Sequence, residues 1–227
     1  MSTGNIGSVL VSSRSFDEYV AMFALDDADL ESNILDCPAG ASAFTADARR
    51  RGTRVTACDR AYADGEISGD ALRAETIRGN EYVSKNAGHY CDTFFRDAAH
   101  HLEHRLHAVS RFVEDSAAHP NSYVAATLPT LPFDDGSFDL VLSSHLLFTY
   151  ADRLDVHAHD EYLRELVRVA GNEVRVFPLV PMGSSAPYPE LDLVRRRLDT
   201  AGIDTAVVGV DYEFQRGATE MLVCVGR

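Results

Sequence analysis

A turn led by an acid, Asp36-Cys-Pro-Ala-Gly-Ala-Ser42, closes a short apolar run, and a second acid, Asp59, closes the next β-rich run 23 residues later. A glycine in such a turn lets backbone approach a ligand, and an acid ending the second strand can accept both hydroxyl protons of a ribose. The pair therefore points to an adenosine-containing ligand. The competing reading is a βαβ unit whose strand simply ends in Asp. Further along, His145 follows a third apolar run, where a neutral imidazole would titrate near working pH and serve as a base. Tyr150, Tyr212, Glu213 and Arg216 are candidate groups for binding a second ligand, and Arg216 could clamp a carboxylate in bidentate fashion or pair with Glu213.

These residues need a frame that brings them to one rim. After a loose start, Ser15 caps a short amphipathic helix at 15 to 24, with Asp17 and Glu18 in its first turn. Residues 33 to 36 read as a strand, Ser42 to Arg51 as a helix and Gly52 to Asp59 as a second strand, parallel to the first. From Ser68 to Ser116 the chain is helical in character, and Phe95, Ala98, Leu102, Leu106, Val109 and Val113 form an apolar stripe. This stretch, about 68–116, is predicted to be an inserted helical cap, serving as a lid, an interface or both. Strands follow at 122 to 126, 138 to 143 and 173 to 177, with helices at about 157 to 170 and 189 to 201. The last two strands, 204 to 210 and 219 to 225, are joined too closely for a crossover and must pair antiparallel. The prediction is a single α/β domain over 1–227: a doubly wound, mostly parallel seven-stranded sheet with a C-terminal antiparallel hairpin and a helical insertion. In such a sheet the ligand lies beyond the carboxyl ends of the strands, where all the residues named above fall.

Composition narrows the function classes. Lys and Arg number 21 against 35 Asp and Glu, a formal net charge of −14, so a polyphosphate chain is repelled on average and nucleic acid is not expected as a partner. The four cysteines have neither a C-x-x-C pair nor metal-like spacing, which fits a reducing cytoplasm. No stretch approaches the roughly 18 apolar residues of a membrane span, and no export signal opens the chain. A soluble, cytoplasmic protein is expected. His100, His104 and His107 share one helix face at i, i+4 and i+7, a spacing that could hold zinc; the face opposes the apolar stripe, and no metal is expected there.

Beyond the two acids, Leu131-Pro-Phe-Asp-Asp-Gly-Ser-Phe-Asp-Leu-Val141 leads into the fourth strand, Glu165-Leu-Val-Arg-Val169 lies in the helix after it, and the chain ends in the hairpin. In this ordered combination the sequence resembles the class I, Rossmann-like S-adenosylmethionine-dependent methyltransferases over roughly residues 15 to 60 and 120 to 227. The segments Ser143 to Tyr150 and Tyr212 to Gly217 are similar to an uncharacterised bacterial subgroup of them. The resemblance implies that Asp36 and the turn through Pro38, Gly40 and Ser42 hold the amino-acid end of the cofactor. It implies that Asp59, with Arg60 beside it, takes the ribose, that Ala126, Thr127 and Leu128 flank the adenine, and that Ser143 and His145 lie beside the methionine part. Three positions depart from the family pattern. Pro38 replaces its first glycine, Ser42 its third, and Thr127 stands where many members place an acid. A nicotinamide cofactor is disfavoured because no G-x-G-x-x-G follows the first strand.

Methyl transfer asks mainly for positioning, plus a base if the acceptor must lose a proton. The signatures of DNA amino and cytosine-ring methylation are missing, so the expected acceptor is a small molecule or a protein. The alternative is a non-catalytic module that binds an adenosine ligand or docks a partner on the same scaffold, motivated by Pro38, Ser42 and Thr127. A reaction of another kind on the same ligand, such as decarboxylation or elimination, is a third reading. A homodimer is compatible with the amphipathic insertion.

Overall fold

The computed structural model describes residues 9–63 and 68–227. The expected α1 (Phe16–Phe23) is closed at its start by a capping box between Ser15 and Glu18. A short α2 (Asp27–Glu31), absent from the sequence reading, forms because Asp26 and Asp29 cap each other reciprocally. The alternation then runs through β1 (Asn33–Asp36), α3 (Phe44–Arg50) and β2 (Arg54–Cys58). The insertion contributes α4 (Gly69–Lys85) and α5 (Ala98–Ala118). After it come β3 (Tyr123–Val124), β4 (Phe138–Ser144), α6 (Val156–Val169), β5 (Ala170–Phe177), α7 (Leu191–Thr200), β6 (Ile203–Gly209) and β7 (Glu220–Gly226).

The seven strands form one sheet in the order β3-β2-β1-β4-β5-β7-β6. β1 pairs in parallel with β2 and β4, β2 with β3, and β4 with β5. β7 inserts antiparallel between β5 and β6, so the terminal hairpin is confirmed. The fold is the doubly wound, Rossmann-like α/β sheet expected. β3 is shorter than the predicted 122 to 126, and its brevity leaves little open edge for another chain to pair with.

Both sheet faces are covered, which is why the central strands are apolar throughout. One core joins Val141, Val174, Val176 and Leu222 to α6 and α7 through Leu163, Leu166, Val194 and Leu198. The other joins Ile34, Leu140 and Leu142 to α1 and α3 through Tyr19, Phe23 and Phe44. Among the described residues, no helix is long and apolar enough to cross a membrane.

The insertion departs from its predicted stripe. The buried face of α5 is His101, Arg105, Ala108, Val109, Phe112 and Asp115, while Val113 is exposed and Leu102 and Leu106 are only half-buried. Charged partners decide this orientation: Arg105 reaches Glu18 of α1 at 2.6 Å, and Arg111 reaches Asp47 of α3 at 2.6 Å. α5 thus lies along the α1 and α3 face as the crossover between β2 and β3, and α4 packs against α5 and the segment 10–13, burying Leu72 and Thr76.

Candidate functional site

The first turn and the acid ending the second strand form one unit. Gly40 has φ +57°, and a Cβ there would lie 2.6 Å from the Ser12 carbonyl oxygen, so both conformation and space demand glycine. The Gly40 amide donates to Asp59 Oδ2 at 2.9 Å, and the Ala61 amide donates to Oδ1 at 2.9 Å. Tyr62 donates its hydroxyl to the Gly40 carbonyl at 2.7 Å. Burial pushes the Asp59 carboxyl above its ordinary value, opposed by these two backbone donors and by Arg60. Each carboxylate oxygen retains a lone pair for a further donor.

This unit faces a cleft of about 500 Å³ at the carboxyl ends of β1, β2 and β4. Pro38, Gly40, Asp59, Arg60, Ala126, Thr127, Leu128 and His145 all line it, so most of the residues expected at a ligand do meet there. Two do not. The Ser42 hydroxyl turns toward α3 and accepts from the Phe44 amide at 2.9 Å. Ser143 points into the sheet's interior, buried with its Oγ unpartnered, and Ser144 lines the cleft in its place. The one-residue error follows from the period of two along a strand.

Asp36 also lies behind the cleft instead of in its wall. It is fully buried and accepts from the Tyr19 hydroxyl at 3.0 Å. Burial, and then the charge of Asp59, pushes its carboxyl well above the carboxylate range, against the lowering effect of the Tyr19 bond. Its role in this arrangement is to tie β1 to α1.

His145 stands at the end of β4 with φ +53°, its amide donating to the Phe177 carbonyl at 2.7 Å and its Nδ1 lying 2.8 Å from Ser144 Oγ. Burial, with Arg14 and Arg105 adding to it, pushes its imidazole well below the ordinary histidine value. The ring is thereby held in its neutral form and weakened as a proton acceptor. Tyr150 accepts the Leu10 amide on its hydroxyl at 2.9 Å and lines the cleft.

The other expected second-ligand residues fall outside the cleft. Tyr212 is buried and donates to Glu18 Oε1 at 2.9 Å; Glu213 accepts the Gly217 amide at 2.9 Å. Arg216 donates to the Gly88 carbonyl at 3.1 Å and fastens the connection between α4 and α5, instead of pairing with Glu213. Their neighbours Phe214 and Gln215 are the ones that reach a cavity. On α5, the His100 and His104 rings face each other with Nε2 atoms 3.0 Å apart, and His107 is exposed. Among the described residues, no group of three or more His, Cys, Asp or Glu is placed to hold a metal ion.

Sequence reading missed the segment before α1. Residues 9–14 are not loose: Ser12 accepts the Ala41 amide at 2.9 Å and Arg14 accepts the Ala43 amide at 2.8 Å on their carbonyls. The segment runs across the rim and separates the cleft from a second chamber of about 100 Å³, both cavities sharing Leu10, Ser12, His145 and Tyr150 in their walls. One wall of this chamber is a buried ionic cluster. Arg105 grips Glu18 with two bonds of 2.6 and 2.7 Å, donates to the Ser13 carbonyl at 2.8 Å and to His101 Nε2 at 3.1 Å. Burial works to raise the Glu18 carboxyl, yet Arg105, Arg14 and the Ser15 amide outweigh it and hold it at about 2. The capping-box spacing Ser15 to Glu18 was the one visible signal, and it reads equally well as an exposed first turn.

A protein-family model described as a methyltransferase domain matches residues 101–176, from α5 to the end of β5. An uncharacterized protein of the archaeon Methanocaldococcus jannaschii is 26% identical over 225 residues, covering 96% of this chain and 97% of that one. The expected bacterial subgroup gains no support from this archaeal match. Among solved structures, magnesium protoporphyrin IX methyltransferase of Synechocystis PCC 6803 with bound SAM is similar with a TM-score of 0.49 and 14% identity, over 93% of this chain and 78% of that one. A SAM-dependent methyltransferase of Aquifex aeolicus is similar with a TM-score of 0.44 and 17% identity, over 92% of each chain.

Proposed function

We propose that the protein transfers a methyl group from S-adenosylmethionine to a small-molecule acceptor. The observation that carries this reading is the Gly40 and Asp59 unit, set in a cleft of about 500 Å³ at the strand ends, with a smaller chamber adjoining it. The cleft falls in the size range of small-molecule sites, and the methyltransferase-domain match over 101–176 supports the reaction class. The residues fit the cofactor. Asp59 is buried at its carboxylate yet faces the cleft, the turn at Gly40 brings bare backbone to the wall, and Ala126 to Leu128 form an apolar flank.

Bound there, the cofactor would supply an electrophilic methyl group on a sulfonium sulfur. Asp59 would accept the ribose hydroxyls, and Arg60 would stand at the open edge. The segment 9–12, with Tyr150 and His145, would separate the cofactor from the acceptor and exclude water, leaving the methyl group to be presented through that partition. Catalysis on this reading is positioning, with no strong base in the wall.

Calorimetric titration with S-adenosylmethionine and S-adenosylhomocysteine, on the wild type and Asp59→Ala, tests the reading. Micromolar binding by the wild type and at least a tenfold loss in the variant are expected; no binding by the wild type overturns it. The lowered proton affinity of the buried His145 ring is the observation that favours a second reading, a non-catalytic binding module. It predicts weak or absent cofactor binding and no S-adenosylhomocysteine formed on incubation with any acceptor.

A further inference from the structure

From the smaller chamber we infer that the acceptor is a small carboxylic acid, anchored through its carboxylate by Arg14 with Thr149 beside it. The assignment rests on the methyl-transfer reading, for which the chamber is the acceptor's seat.

The argument is one of charge and unmet hydrogen bonds. Two guanidiniums, Arg14 and Arg105, share the single buried carboxylate of Glu18. Glu18 is saturated: besides Arg105 it accepts from the Ser15 amide at 2.9 Å, the Ser15 hydroxyl at 3.3 Å and the Tyr212 hydroxyl at 2.9 Å. Arg14 is left with one long contact to it, 3.3 Å, and its Nε is buried without any partner. Burial first, and then the neighbouring Arg105, destabilises the charge on Arg14. The histidines nearby cannot balance it, since burial pushes both His101 and His145 toward their neutral forms. The cluster therefore keeps one positive charge in excess, and Arg14 is among the residues lining the chamber.

A second orphan lies in the same wall. Thr149 Oγ1 is buried with no hydrogen-bond partner, and Thr149 also lines the chamber. A guanidinium N–H and a hydroxyl, both buried and unsatisfied on residues that line one small cavity, call for an acceptor with at least two lone pairs. A carboxylate supplies them and cancels the single excess charge, whereas a phosphate dianion would overshoot it. The remaining wall, with Leu10, Val83, Met182 and Phe214, suits a short apolar body, and about 100 Å³ limits that body to a few heavy atoms.

The test is titration of the full chain, alone and saturated with S-adenosylhomocysteine, with propionate and isobutyrate, their amides propionamide and isobutyramide, and inorganic phosphate. At least one acid is expected to bind tenfold or more tightly than its own amide, and Arg14→Gln is expected to abolish that preference. Equal binding of acid and amide, no binding of either acid, or a preference for phosphate over both acids overturns the assignment. The ratio of acid to amide is read on the wild type, so a poorly folding Arg14 variant does not remove the test. Thr149→Val, a near-isosteric change, is expected to weaken the acid without weakening the amide. Cofactor binding without acid preference overturns this inference alone; absence of cofactor binding overturns the methyl-transfer reading, while the acid-to-amide ratio still decides the chamber.

Discussion

Arg105 of α5 and Glu18 of α1, 87 positions apart, face each other fork to fork with bonds of 2.6 and 2.7 Å. This pair sits under the inserted helix and holds it to the body of the domain. Arg105→Met should cost about 2 to 4 kcal/mol, because it removes the two short ionic bonds and leaves Glu18 with the Ser15 and Tyr212 donors and only the 3.3 Å contact to Arg14 for counter-charge. Urea unfolding of the two proteins measures the difference. A loss below about 1 kcal/mol would place the pair with weak surface bridges.

Gly40 tolerates no side chain. Gly40→Ala combines a left-handed backbone with a Cβ 2.6 Å from the Ser12 carbonyl oxygen, and the expected cost is about 1 to 3 kcal/mol. The segment 9–12 should be displaced with it, so protease cleavage near the N-terminus should become faster. Unchanged melting and cleavage would show that the segment is not clamped by this turn.

Acid should destabilise the fold through His101 before it reaches the carboxylates. Burial, reinforced by Arg105, lowers this imidazole to about 3, below its unfolded value near 6.5. A histidine buried in its neutral form contributes stability that is complete above the unfolded value and is lost as pH falls toward the folded one. The slope that His101 alone contributes is at most about 1.4 kcal/mol per pH unit below pH 6.5, and His145, buried neutral as well, adds to it. Glu18, held at about 2, adds its own loss only below the ordinary carboxylate range. Urea midpoints measured from pH 8 to pH 4 should fall, and His101→Gln should flatten the upper part of that fall.

His145 should remain neutral where an ordinary histidine titrates. Its ring is pushed well below the usual value, so its proton NMR shifts should not move between pH 8 and pH 6. For the same reason, a rate profile should lack a limb near 6.5 attributable to this residue. A titration of the His145 ring in that window would restore it as a candidate base.

Much of the fold was legible because the chain alternates in short range. Apolar runs ending in Asp36 and Asp59, the cap at Ser15 and the closely spaced last strands each carry their signal within a dozen residues. The cleft was legible for the same reason: strand ends in a parallel sheet converge, and Gly40, Asp59 and Thr127 fall there by topology alone.

What tertiary structure decided is everything that depends on partners far apart in the chain. Nothing local marks Glu18 as buried, Arg105 as its counter-ion or Arg14 as the guanidinium left unsatisfied, because a charge becomes tolerable in a core only when its distant partner arrives. The basicity of His145 was equally hidden, since spacing places an imidazole but burial sets its proton affinity. Likewise, Tyr212, Glu213 and Arg216 share a rim loop by sequence, yet hydrogen bonds to Glu18, Gly217 and Gly88 turn all three away from the cavities. Sequence periodicity set the scaffold and the rim; long-range pairing of charges and hydrogen bonds chose which side chains face the ligand space.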